Sequence, residues 1–78
     1  MNEEDINKRV FLLAIFKKDP DETLNEVTIS LVNAGMFDLK KGTQVLKELK
    51  EAQYLVNDQL SIKGIAVATE AEAEFKLQ

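Results

Sequence analysis

Residues 39–60, LKKGTQVLKELKEAQYLVNDQL, decide the fold, because they join an amphipathic helix to a tight hairpin signal. At about 100° per residue, apolar and polar positions of 39–53 fall on opposite sides of a helix. The apolar side holds Leu39, Gly42, Val45, Leu46, Leu49 and Ala52. The polar side holds Lys40, Thr43, Gln44, Lys47, Lys50 and Glu51, with Lys41 and Glu48 on its flank. This pattern predicts a helix over residues 39–53 that begins at an Asp38 N-cap.

The hairpin signal follows directly after this helix. Asn57 and Asp58 both tolerate positive φ, so they suit a two-residue turn between two short apolar strands. Such a turn pairs Leu55 with Leu60, and both leucines then lie on the side of the ribbon that faces the core.

A first helix is predicted over residues 3–18, with Asn2 as its N-cap. Asp19-Pro20 ends it, because the residue before a proline disfavours the α region. One stripe at helical spacing, expected to face the next two helices, holds Ile6, Val10, Leu13 and either Phe16 or Lys17. Three further apolar residues lie off this stripe: Phe11, Leu12 and Ile15. A helix that is apolar on more than one side is central to its domain or covered by another chain.

A shorter second helix is predicted over residues 24–34. Thr23 and Glu26 fit a capping box, in which the hydroxyl accepts from a free amide and the glutamate reaches back. Gly35 is the predicted C-terminal stop, because glycine adopts the left-handed conformation without a Cβ clash.

The tail, residues 62–77, allows two interpretations. An apolar stripe at helical spacing behind a Ser61 N-cap predicts a helix, and it holds Gly64, Val67, Ala68, Ala71 and Phe75. Residues 70–75 also alternate with period two, as a strand would. Alanine and glutamate favour helix and disfavour strand, so a helix is the favoured prediction.

The composition excludes several classes of function. The 78 residues form one small domain without cysteine or histidine, which removes thiolate and imidazole nucleophiles, bases and metal ligands. Glu70, Glu72 and Glu74 do not make a cation site, because residues two apart do not face each other on a helix. We therefore expect no catalysis, no metal and no cofactor.

Charge and hydropathy bear on location and partners. The acidic start, MNEED, is unlike a secretory signal, and the apolar run 10–16 reaches about 10 Å as a helix against a bilayer core of about 30 Å. We expect a cytoplasmic protein that does not associate with membranes. The formal net charge is −4, yet residues 38–53 carry four lysines against three carboxylates and are net positive.

The predicted order of helix, helix, helix, hairpin, helix resembles a winged helix–turn–helix domain of small bacterial regulators. Residues 41–55, KGTQVLKELKEAQYL, look like its recognition helix running into the first wing strand, and 60–66, LSIKGIA, resembles the element where the wing becomes the last helix. The resemblance implies a mostly helical α+β fold and a transcriptional regulator that binds double-stranded DNA. The implied DNA-binding residues are Lys40, Lys41, Thr43, Gln44, Lys47 and Lys50.

An alternative of another class is a protein–protein interaction module on the same scaffold, without nucleic-acid binding. The acidic balance, a single arginine on the first helix and a hairpin tip without Arg or Lys favour this alternative.

A homodimer is expected under the DNA hypothesis, since palindromic sites are bound by two-fold dimers. Its predicted interface is Phe11, Leu12 and Ile15, with the last helix as a lesser contributor. The competing interpretation is that the C-terminal helix covers these three residues within one chain. Glu70, Glu72 and Glu74 are expected to oppose antiparallel pairing of two tails.

Overall fold

The computed structural model describes residues 3–76, with side chains from residue 5 to residue 74. Helix α1 is Glu3–Lys17, α2 is Leu24–Asn33 and α3 is Leu39–Glu51. The strands β1 (Leu55–Val56) and β2 (Gln59–Leu60) form an antiparallel hairpin, and α4 is Ile62–Lys76. The prediction of a mostly helical α+β fold is confirmed. The tail is a helix, as the propensities of alanine and glutamate favour, and the strand alternative is wrong.

Side-chain caps fix where the helices begin, as the sequence predicts. At α2, the Thr23 hydroxyl accepts from the Glu26 amide at 3.1 Å, and the Glu26 carboxylate accepts from the Thr23 amide at 3.2 Å. At α3, the Lys41 amide donates to Asp38 Oδ1 at 2.7 Å. Gly35 follows the end of α2 with φ of +82°. The predicted Asn2 cap of α1 lies outside the described residues.

The hairpin forms in the predicted register. Leu55 pairs with Leu60, and the turn residues Asn57 and Asp58 have φ of 53° and 63°. Ser61 then starts α4, because its hydroxyl accepts from the Gly64 amide at 3.1 Å and donates to the Gln53 carbonyl at 2.7 Å. These bonds tie the end of α3, the hairpin and the start of α4 into one unit.

The core lies between α1 and the elements that surround it, and α1 packs most extensively against α4. Its buried side chains are Phe11, Leu12, Ile15, Leu24, Val27, Val45, Leu49, Leu55 and Ala68. The predicted stripe of α1 is therefore wrong in part: Phe16 is 41% exposed, whereas Phe11 is 0% exposed. The physical reason is that α1 packs against α2, α3 and α4 at once and that the Phe11 ring stacks on Phe37, so the surrounding elements decide which side of α1 is buried.

The predicted dimer interface is corrected by the same packing. Phe11, Leu12 and Ile15 are buried within a single chain, so they present no surface to a second copy. The competing interpretation, in which the C-terminal helix covers them, agrees with the contacts between α1 and α4. Among residues 3–76, no helix is both long enough and apolar enough to cross a membrane.

Candidate nucleic-acid interface

Helix α3 is held against the core by one side only, which leaves its other side to solvent. Val45 and Leu49 are buried, and Gly42 lies against Thr28 of α2 and the Phe37 ring. A Cβ on Gly42 would stand 2.9 Å from Phe37 Cε1, so the glycine allows this close approach. Because the Asp38 cap fixes the first turn of α3, it also fixes which residues of the helix lie on the outward face.

The structure brings the six residues of the predicted DNA-binding set together on this outward face. Lys41 is half-buried and the other five are exposed: Lys40, Thr43, Gln44, Lys47 and Lys50. The apolar side agrees with the prediction at its centre and departs from it at its start, where Leu39 is 55% exposed. The face therefore combines cationic ends with hydroxyl and amide groups in one stripe.

Several of these side chains have partners within the chain. Lys47 Nζ lies 4.0 Å from Glu51 Oε1, one turn along α3. Lys50 Nζ lies 3.8 Å from Asp58 Oδ1 at the hairpin turn. Among the side chains of residues 5–74, no carboxylate forms an ion pair with Lys40. Exposed pairs at these distances contribute about 0–1 kcal/mol, so a polyanion can compete for the lysines.

The other edge of the face is joined to α1 through Glu48. Its Oε1 lies 3.8 Å from Lys8 Nζ, and its Oε2 accepts from Gln44 Nε2 at 3.3 Å. The amide of Gln44 thus has its nitrogen directed towards Glu48, which leaves its carbonyl oxygen without a bond to the described residues.

The hairpin turn stands beside α3 and encloses a cleft of about 500 Å³ with the start of α2. Its lining includes Lys18, Thr23, Leu46, Lys50 and Asp58. The sequence pattern does not place Lys18 on this surface, because nothing in its spacing indicates that the end of α1 lies near Lys50. The cleft carries charges of both signs, since Glu22 also lines it.

The charges between α1 and α4 are arranged differently. The Arg9 guanidinium of α1 donates to Glu74 of α4, and Lys17 of α1 is paired with Glu72. The arginine of this chain is therefore bound to α4 and is not part of the α3 face. These contacts neutralise two of the three predicted acidic residues of the tail.

The acidic side chains that the structure describes do not gather into a metal site beside this face. The part of the chain that the structure describes holds no group of three His, Cys, Asp or Glu side chains able to bind a metal ion. What the α3 face can do chemically is donate and accept hydrogen bonds and offset negative charge. Comparison of the chain with family models, with curated proteins and with solved structures finds no match in any of the three.

Proposed function

We propose that the chain is a DNA-binding protein, a small transcriptional regulator built as a winged helix–turn–helix domain with α3 as its recognition helix. The observation that carries this proposal is the outward face of α3. Lysines lie along it, Thr43 and Gln44 lie between them, and all belong to a segment that is net positive in a chain of net charge −4. The proposed activity is binding without catalysis.

The chemistry of the face fits the two tasks of groove recognition. Lysine ammonium groups contact phosphates and fix orientation, whereas hydroxyl and amide groups exchange hydrogen bonds with base edges. A helix of about 10–12 Å diameter fits the major groove, which is about 12 Å wide. The order of elements and the hairpin directly after α3 also support the winged-helix interpretation.

The proposal is tested by the salt dependence of binding to mixed-sequence duplex DNA, measured by fluorescence anisotropy between about 50 mM and 200 mM salt. About four lysine–phosphate contacts give a slope near −3.6 in a plot of log affinity against log salt. A variant with Lys40, Lys47 and Lys50 changed to alanine should lose about 2.7 of that slope.

A matched control separates local contacts from net charge. Changing Lys17, Lys63 and Lys76 to alanine removes the same number of charges from α1 and α4, away from the α3 face. We expect the salt slope of this control to stay within about one contact of the wild-type slope. Equal losses in both variants would contradict a recognition role for α3, and a folded chain that binds no duplex at low salt would overturn the proposal.

A second function, protein–protein interaction without nucleic-acid binding, is favoured by the carboxylates around the same face. Glu51 and Asp58 lie within 4.0 Å of Lys47 and Lys50, and the hairpin tip carries Asp58 in place of a cation. Under this function α3 is a solvated face with locally balanced charge. The anisotropy experiment decides between the two, because this second function predicts no duplex binding at about 50 mM salt.

A further inference from the structure

Helix α4 exposes a stripe without charge on the side opposite the core. Its buried side includes Gly64, Ala68 and Ala71. The outward stripe follows helical spacing and holds Ile62, Ile65, Ala66, Thr69 and Ala73. Ile62 is 89% exposed and Ile65 is 42% exposed, which is unusual for isoleucines on one face of a helix in a monomer.

The apolar surface extends beyond the helix. Ile65 lines a cleft of about 400 Å³ that also contacts Leu60 of the hairpin and Phe16 of α1. Phe16, an exposed member of the predicted α1 stripe, therefore lies on the same side of the molecule as the α4 stripe. Lys18 and Asp58 also line this cleft, so the apolar surface has charged residues at its rim. An apolar surface of this kind marks an interaction site more often than isolated apolar residues do.

One edge of the stripe carries charges of opposite sign that are seven residues apart. At about 100° per residue, Lys63 and Glu70 lie within about 20° of each other around α4. Their Cα atoms are separated by about 10 Å along the helix axis. The Lys63 ammonium donates to the Ala52 carbonyl at 3.2 Å and lies 4.4 Å from the centre of the Tyr54 ring, and an ammonium has three donors in all.

The remaining tail carboxylates do not oppose pairing of two α4 helices, contrary to the sequence-based expectation. Glu72 is paired with Lys17 and Glu74 with Arg9 within the same chain. Glu70 alone of the three has no ion pair with the described residues. The edge of the stripe thus presents one cation and one anion.

We propose that this stripe binds a second copy of the chain, as an antiparallel, two-fold contact between α4 helices centred near Ala66. A two-fold axis perpendicular to antiparallel helices brings the same edge of each helix together. Lys63 of each copy then lies opposite Glu70 of the other, so that two reciprocal ion pairs flank the centre. The small side chain of Ala66 lets the helices approach, and Ile62 packs beside Thr69 of the other copy.

The contact between two α4 helices does not depend on DNA binding. We expect its affinity to be low, because the contact buries little surface. One helix crossing with an adjoining apolar cleft lies at the small end of specific interfaces, below about 1,200 Å². We expect dissociation constants of about 10–100 μM, so that the chain is monomeric when dilute and dimeric when concentrated.

Sedimentation equilibrium from about 1 μM to 1 mM tests the contact, because mass action must convert monomer to dimer across that range. Ile62→Asp should weaken association at least tenfold. Ile62 is the first residue of α4, where an aspartate is favourable to the helix, so the variant should fold. Ile29→Asp is the matched control, since Ile29 is 44% exposed on α2, and it should leave association unchanged.

A charge exchange tests the antiparallel register. Glu70→Lys should weaken association about tenfold, because it places like charges opposite each other twice. Combining it with Lys63→Glu should restore association to within about twofold of wild type, with circular dichroism melting as the check on folding. A monomer at every concentration, an Ile62→Asp variant that associates like wild type, or a double variant that stays weak would each overturn the proposal.

Discussion

The α1–α4 pair and the α3–hairpin surface use their charged residues in opposite ways. Between α1 and α4, Arg9 and Lys17 reach across to carboxylates more than fifty residues away in sequence. On α3, Lys47 pairs with a neighbour on its own helix, and Lys50 with the turn that follows. The first arrangement ties two ends of the chain together, whereas the lysine pairs of α3 tie only local segments, and it is Glu48 that links α3 to Lys8 of α1.

The two regions also bury apolar side chains for different reasons. Helix α3 is amphipathic by its own period, so its buried side follows from the sequence of the helix alone. Helix α1 is apolar around most of its circumference, so its buried side is set by the helices that cover it. The buried side of α1 is therefore decided by tertiary packing, whereas the buried side of α3 is decided by the sequence of the helix itself.

The largest expected effect separates two phenylalanines of α1. Phe11→Ala removes a ring that is 0% exposed and stacked on Phe37 at 6.0 Å between centroids. We expect a loss of about 3–5 kcal/mol in the free energy of unfolding, from lost burial and the cavity left behind. Phe16→Ala, on the same helix but exposed, should lose less than about 1 kcal/mol. Urea unfolding followed by circular dichroism measures both.

This pair of variants discriminates between the predicted and the observed face of α1. The sequence-based stripe leaves Phe11 out, whereas the observed packing, with Phe11 stacked on Phe37, expects Phe11 to be the more damaging site. Equal losses, or a larger loss at Phe16, would show that α1 does not sit as the structure has it.

The prediction succeeded where local chemistry decides and failed where long-range packing decides. The Asn57-Asp58 turn, the Thr23 and Asp38 caps and the α3 face depend on neighbours within about one helical turn, and all are found as predicted. The rotation of α1 depends on α4, which lies at the other end of the chain. Helical wheels carry no information on which of two apolar sides a distant helix will cover.

The candidate site was predictable to a similar extent. The residues of the α3 face follow from its period, but their partners do not. Lys50 meets Asp58 because the hairpin folds back towards α3, and Lys18 joins them only through the tertiary arrangement. The contacts of Glu72 and Glu74 with α1 likewise needed the fold.

The next largest effect concerns glycines at two close approaches. A Cβ on Gly64 would overlap the Tyr54 carbonyl oxygen, which is backbone held by the hairpin. We expect Gly64→Ala to lose about 1–3 kcal/mol in the free energy of unfolding. In Gly42→Ala, the new Cβ contacts the Phe37 ring, which is a side chain and can shift, and alanine has the higher helix propensity. We therefore expect its loss of unfolding free energy to be smaller than that of Gly64→Ala by about 1 kcal/mol or more. Thermal unfolding ranks the two, and the reverse order would contradict the rigid junction of hairpin and α4.

A smaller effect on the free energy of unfolding is expected for two threonines that form only local hydrogen bonds. Thr23→Ala removes the capping box of α2 and should lose about 1 kcal/mol. Thr69→Ala is the matched control, because the Thr69 hydroxyl only donates to the Ile65 carbonyl one turn back within α4. We expect its change to stay within about 0.5 kcal/mol. Denaturant midpoints at constant slope measure both, and indistinguishable values would mean that the cap contributes nothing to folding.

The smallest effect compares one ion pair from each region. Asp58→Asn removes the partner of Lys50, where the two side chains are half or more exposed, and Glu74→Gln removes the partner of the less exposed Arg9. Exposed pairs contribute about 0–1 kcal/mol, so the unfolding free energy should change by less than about 0.5 kcal/mol for Asp58→Asn and by up to about 1 kcal/mol for Glu74→Gln.

The same two variants carry equal changes in net charge, which makes them a matched pair for DNA binding. If Lys50 contacts a phosphate only when Asp58 releases it, Asp58→Asn should steepen the salt slope by about 0.9 and raise affinity at low salt. Glu74→Gln adds the same charge on the α1–α4 side and should leave the slope unchanged. Equal affinity gains with unchanged slopes would mean that only net charge matters, and the contrast between the two regions would then not extend to recognition.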